Sequence, residues 1–177
     1  LSHTTTTVYD GAGQATSSQD ATSAVTTTTY DSAGRVLENL DAEGHETRFK
    51  YDNANRKVLS RDAAGGRITI TYDAAGREIA TINECGHATN NTYDNVGRLL
   101  TKQNALGQVT TYVYDAAGQQ TQRIDGMGHT TTYTYDNVGR PLGKFYHDTS
   151  SVVFTYDEVG NRLSMTDSTG TTTYVYD

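Results

Sequence analysis

The dipeptide Tyr-Asp recurs at Tyr9, Tyr30, Tyr51, Tyr72, Tyr93, Tyr114, Tyr135 and Tyr156 at a constant interval of 21 residues, and once more at Tyr176 after 20. A strict period of this length identifies a tandem array whose unit is one supersecondary element. Such a unit is too small to bury its own apolar face and is stabilised by stacking on copies of itself. The expected organisation is therefore a single array over residues 1–177, of about eight hairpin units beginning at Tyr9, Tyr30, Tyr51, Tyr72, Tyr93, Tyr114, Tyr135 and Tyr156, with no separate effector domain.

The first motif in each unit reads Tyr-Asp-x-x-Gly-Arg. Tyr30-Asp31 leads to Gly34-Arg35, Tyr51-Asp52 to Asn55-Arg56, Tyr72-Asp73 to Gly76-Arg77, and Tyr93-Asp94 to Gly97-Arg98. Tyr114-Asp115 leads to Gly118, Tyr135-Asp136 to Gly139-Arg140, and Tyr156-Asp157 to Gly160. About ten residues later a second Asp/Asn-x-x-Gly follows, as at Asp41–Gly44, Asp62–Gly65, Asn83–Gly86, Asn104–Gly107, Asp125–Gly128 and Asp167–Gly170. Asp or Asn opening a tight turn accepts a bond from the amide two residues on, and Gly at the fourth position enters the left-handed region without the penalty a side chain pays. Where the first motif loses its Gly the replacement is Asn55, the residue type that best tolerates positive φ.

Between turns lie short segments rich in Thr, Tyr, Val and Ile. In Thr47-Arg48-Phe49-Lys50-Tyr51 the odd positions are aromatic or β-branched and the even ones charged, and Ile68, Ile70 and Tyr72 repeat the pattern. That alternation is a half-buried strand, so the expected fold is all-β, a meander of 21-residue antiparallel hairpins in a curved sheet with one wet face. A second apolar stripe stands seven residues after each Tyr, at Leu37, Val58, Ile79, Leu100, Leu142 and Leu163, interrupted by Thr121. A two-residue loop would set this stripe opposite Phe49, Ile70, Tyr112, Tyr133 and Phe154; a Gly bulge would move it to the other face, and the first arrangement is favoured.

A longer period of 42 overlies the first, as Tyr72–Gly76 matches Tyr114–Gly118. The ends diverge: Ser23 and Thr149 stand where a second-turn Gly is due, and one residue is missing after Gly170. Only 34% of the chain is hydrophobic, too little for two-sided burial. No apolar run approaches a membrane span and no leader is visible, and the chain reads as excised from something longer. A net charge of -7 argues against nucleic acid, which needs a basic footprint. The strict period argues against disorder.

Candidate chemistry is sparse. His45, His87 and His129 each follow a turn Gly, but copies two repeats apart would lie about 19 Å from one another at ~4.8 Å per strand, too far to share a metal. The Asp row from Asp31 to Asp157 would repeat every ~9.6 Å, too far to share calcium, so turn capping is its expected role, with the Arg row offsetting its repulsion. Cys85 has no partner, and no spacing suggests a catalytic triad or a phosphate loop. The expectation is no enzyme, no cofactor and no metal. The uniform short loops disfavour a propeller, the twin turns disfavour a parallel β-helix, and the absence of Trp disfavours choline-binding modules.

The nine-fold recurrence of Tyr-Asp from Tyr9 to Asp177, with its Tyr-Asp-x-x-Gly-Arg signature, resembles the RHS or YD-repeat family. That family includes bacterial rearrangement-hotspot toxins, shell components of insecticidal toxin complexes, wall-associated proteins and the teneurins. The resemblance implies a spiralling β-sheet that closes into a hollow shell, holding a C-terminal toxic domain in the bacterial toxins. The family's C-terminal core with its Asp-Pro motif and self-cleavage site is missing from this chain, so cargo and autoproteolysis are not carried over. The resulting expectation is a non-catalytic scaffold, part of the wall of a secreted or surface protein, extracellular and bacterial by resemblance. It would enclose a toxin or build an extended assembly or filament, with further repeats or neighbouring copies as partners through sheet edges. The alternative is an adhesin-like recognition module for a surface glycan or a partner cell's protein.

Overall fold

The computed structural model describes residues 4–176; Asp177, the last residue of the ninth Tyr-Asp, lies outside them. Among the described residues there are seventeen strands and no helix. The chain divides into two compact units, Leu1–Ala88 and Thr89–Asp177. In the first, β1 (Thr6–Tyr9), β2 (Ala15–Gln19), β3 (Val25–Tyr30), β4 (Val36–Leu40), β5 (Glu46–Tyr51), β6 (Lys57–Arg61), β7 (Arg67–Tyr72) and β8 (Glu78–Ile82) follow one another. Each pairs antiparallel with the next, as in β4 with β5 and β5 with β6. The second unit takes in β9 (Ala88–Tyr93), β10 (Leu99–Gln103), β11 (Val109–Tyr114), β12 (Gln120–Ile124), β13 (Thr130–Tyr135), β14 (Pro141–Phe145), β15 (Ser151–Tyr156), β16 (Arg162–Asp167) and β17 (Gly170–Thr173). They form the same meander. The expected all-β hairpin array is the observed fold.

Each regular turn has one geometry. In the unit beginning at Tyr30, the Gly34 amide donates to the Asp31 carbonyl at 3.0 Å, and the Asp31 amide donates to the Arg35 carbonyl at 2.9 Å. The loop therefore has three residues and ends in a left-handed position, the pattern of a type I turn followed by a glycine bulge. Gly34 has φ +81°, and Asn55 stands in the same region at +63°. Ser23 and Thr149 also have positive φ, each +70°, so these diverged positions keep the conformation although they lost the glycine. For Thr149, β-branched at Cβ, this is a strained backbone.

The register corrects the sequence-based expectation of a two-residue loop. Phe49 pairs with Ser60, Ile70 with Thr81, Tyr112 with Arg123, Tyr133 with Lys144 and Phe154 with Met165, none of them with the stripe. The stripe residues are the extra residues of a second bulge: Tyr51 pairs with Lys57 and Lys50 with Leu59, leaving Val58 between them. The same skip leaves out Leu37, Ile79 and Leu142. Two successive one-residue insertions restore the parity of the strands, so Phe49 and Tyr51 keep Ser60 and Lys57 on their own face.

The 20-residue interval has an equally local cause. Asp167 pairs directly with Gly170, so the last turn is a two-residue loop and the missing residue comes out of the turn, not the strand. The last strand ends at Thr173, although the Tyr174 amide still donates to the Leu163 carbonyl at 3.0 Å.

No hydrophobic side chain is buried among the described residues. The accessible surface is 11809 Å², against about 8,400 Å² for a compact globular chain of this mass. In β5 the alternation is visible as half-buried Phe49 and Tyr51 against exposed Arg48 and Lys50. One face of the strand is thus more open than the other.

Candidate functional site

The signature residues of one repeat are assembled on those of the next. Within a turn, one Asp31 carboxylate oxygen accepts the amides of Ala33 at 2.9 Å and Arg35 at 3.0 Å, while the other takes the Arg35 Nε at 2.6 Å. The aspartate that fixes the turn therefore also fixes the guanidinium. Arg35 then reaches forward, its Nη1 donating to the Asp52 carbonyl at 3.2 Å and to the Asn55 Oδ1 at 2.7 Å. Its guanidinium lies over the Tyr51 ring, 4.8 Å from the centroid.

The arrangement repeats. Arg56 lies 4.6 Å from the Tyr72 ring, Arg98 4.8 Å from Tyr114 and Arg140 4.9 Å from Tyr156. Each also donates to the next repeat's Asp carbonyl, Arg56 to Asp73, Arg98 to Asp115 and Arg140 to Asp157. The tyrosines point back. Tyr30 Oη donates to the Ala15 carbonyl, Tyr114 to Leu99, Tyr135 to Gln120 and Tyr72 to Lys57, always the sixth residue after the preceding Tyr. Tyr176 keeps this bond to Arg162 at 3.0 Å despite the shortened turn. The result is a ladder of carboxylate, guanidinium and ring, partly desolvated and therefore stronger than isolated surface pairs.

The carboxyls record it. Hydrogen bonds from the Arg35 guanidinium and then its amide hold Asp31 below the usual carboxylate range. For Asp52 the Arg56 amide leads and its guanidinium follows. At Asp94 and Asp136 burial pushes the carboxyl up, and the bonds from Arg98 and Arg140 outweigh it. Where arginine is lost the ladder adapts: Gln14 Nε2 donates to the Gly34 carbonyl at 3.1 Å, and Asn161 Nδ2 to its own Asp157 at 2.9 Å.

The remaining candidates fall in single turns. His45 Nδ1 lies 2.9 Å from its own Asp41, and His129 Nδ1 3.3 Å from Asp125, while the His129 ring stacks on His147 at 3.8 Å. Asp41, Glu43 and His45 bring their ligand atoms within 4.8 Å of one another. The three side chains are largely open to solvent, and an exposed acidic turn of this kind is ordinary without an ion. Cys85 is exposed at a turn tip. No helix among the described residues is long and apolar enough to cross a membrane.

Comparison with known proteins finds the Teneurin YD-shell model matching residues 48–176 and the RHS Repeat model matching residues 9–40. No curated protein matches. Among solved structures the chain is similar to TcdB2-TccC3 without its hypervariable C-terminal region, at TM-score 0.61 and 18% identity, covering 98% of this chain and 12% of that one. It is similar to TcdB2-TccC3-TEV at TM-score 0.54 and 18% identity, with coverages of 98% and 12%. It is also similar to a Tc holotoxin pore of Photorhabdus luminescens carrying the TccC3 mutation D651A, at TM-score 0.50 and 17% identity, with coverages of 93% and 12%. At such identity these likenesses concern the fold, and the chain spans about an eighth of the length of those structures.

Proposed function

This chain belongs to the Teneurin YD-shell family, and from that premise we propose that it is a length of non-catalytic β-sheet wall in a secreted or surface protein. The wall continues through its edge strands into further repeats or neighbouring copies, and it encloses a polypeptide or builds an extended extracellular assembly. The signature residues, Tyr30-Asp31-Gly34-Arg35 and their repeats, are its structural cement. The observation that carries this reading is the ladder: aspartate, arginine and tyrosine, the residues best suited to catalysis or ligand contact, are spent on joining each repeat to the next. A sheet built so, with no buried apolar side chain among the described residues, is fitted to be one segment of a larger surface. The same ladder counts against an adhesin that would hold glycan on open tyrosine rings, since Tyr51, Tyr72, Tyr114 and Tyr156 each carry a guanidinium.

Two adjacent positions on opposite faces test enclosure. Lys50 pairs with Leu59, whereas Ser60 pairs with Phe49. In a Cys85→Ser background, Lys50→Cys and Ser60→Cys report the two faces of the assembled protein through a bulky polymer-linked maleimide. A wall predicts that one position is blocked and the other modified. Equal modification of both would rule out enclosure.

A further inference from the structure

Across β4 to β7 the register sets Glu38 opposite Arg48, Arg48 opposite Arg61, and Arg61 opposite Arg67. Like charges directly opposite one another on a sheet are destabilising. The repeat itself does not require them: the equivalent row holds Thr27, Leu40 and Glu46 one repeat earlier, Thr111, Ile124 and Thr130 three repeats later, and Thr132, Phe145 and Ser151 a repeat beyond that. In these three rows the place of each arginine is taken by Thr, Ser, an apolar residue or an acid. A chain of net charge -7 has concentrated arginine at one spot on its open face.

The row borders a depression of about 600 Å³, lined by Arg48, Lys50, Arg61 and Arg67 together with the apolar side chains of Leu37 and Leu59. Four cations face the single carboxylate of Glu38 there. Arg48 is paired with Glu38 and Glu46. Lys50, Arg61 and Arg67 make no ion pair among the described residues.

We propose that this depression is a binding site for an extended polypeptide segment carrying carboxylates at alternate positions. The guanidinium fork matches a carboxylate bidentately, and Arg48 already holds two carboxylates of its own chain. From Arg48 to Arg67 the row is two strand spacings, about 10 Å, a reach that one extended segment covers with alternate side chains. Leu37 and Leu59 suit the methylenes of the side chains that carry the carboxylates and offer nothing to a bare phosphate. The sheet face is open, so a segment can lie on it without rearrangement.

The test is fluorescence anisotropy of the full chain with a labelled peptide of alternating Glu and Leu, beside the same peptide with Gln for Glu. Binding of the Glu peptide that weakens as salt rises, with no binding of the Gln peptide, is expected. Arg61→Gln with Arg67→Gln should weaken binding roughly tenfold or more while leaving the far-ultraviolet spectrum unchanged, because neither residue has an ion pair to lose. If that double variant fails to fold, Lys50→Gln decides, and several-fold weaker binding is expected. Equal binding of both peptides, or affinity untouched by these substitutions, would overturn the site. Displacement of the Glu peptide by pyrophosphate at concentrations below those of free peptide would overturn its assignment to carboxylates.

Discussion

The guanidinium of Arg35 stands 4.8 Å from the centroid of the Tyr51 ring, sixteen residues away in sequence and one repeat away in space. The same arginine is tied to Asp31 in its own turn and to the Asp52 carbonyl in the next. One side chain therefore joins two hairpins, and repeat stability should depend on the residue at this position.

Arg98→Gln removes the ion pair with Asp94 and the cation over Tyr114. Gln119 holds the corresponding place one repeat later, so the fold survives. The expected loss is about 1 to 2 kcal/mol, read as a lower urea midpoint. Arg98→Lys should recover little of it, since a point charge cannot make the forked contact. Full recovery by Lys would show that charge alone matters here.

Gly76 has φ +83°, and a Cβ there would meet Arg56 Nη1 at 3.3 Å. Gly76→Val should cost more than about 1 kcal/mol, because a β-branched residue is strained in the left-handed region. Gly76→Asn should be mild. Asn55 shows why: its side-chain oxygen accepts the incoming Arg35 at 2.7 Å, and Asn at position 76 can receive Arg56 in the same way. Equal destabilisation by Val and Asn in thermal melts would contradict this.

Thr149 holds φ +70° without a glycine's freedom. Thr149→Gly or Thr149→Asn should therefore stabilise the β14–β15 hairpin by about 1 kcal/mol. Calorimetry of the full chain would show it as a rise in Tm, and a fall would mean that the threonine side chain contributes more than its backbone strain costs.

The depressed carboxyls set the acid limit. A group whose folded pKa lies below its unfolded value stabilises the fold above the unfolded pKa, and loses that contribution as pH falls through the folded one. Asp31, Asp52, Asp73, Asp94 and Asp136 all shift downward. Stability should be flat from neutrality to about pH 5 and decline below about pH 4, where unfolded carboxylates begin to bind protons. Urea midpoints measured between pH 7 and pH 2 would give the curve, and stability that rises below pH 4 would contradict it.

The turns were legible in the sequence because their chemistry is local: Asp31 and Gly34 do all their work within five residues. The strands were legible by alternation at Phe49 and Tyr51. The second bulge was not, because an extra residue such as Val58 inside a strand looks like any other β-branched residue, and it cancelled the parity change made by the turn. The arginine row was expected to offset the aspartates, but its reach to Tyr51 depends on inter-strand offsets that a one-dimensional period does not display. For the same reason Arg48, Arg61 and Arg67 became neighbours only once the register was known.

The central claim is that this coreless sheet is a segment of a continuing wall. β1 pairs with β2 and β17 with β16, and both terminal strands are exposed along their length. Unprotected edges recruit strands, and a charge on the edge prevents it. Light scattering on the 19.2 kDa chain across a concentration series, with and without Thr7→Lys and Thr173→Lys, is the direct test. The account predicts a mass that grows with concentration in the unsubstituted chain and returns to that of the monomer with lysine at both edges. A monomer at every concentration, indifferent to the added charges, would contradict it.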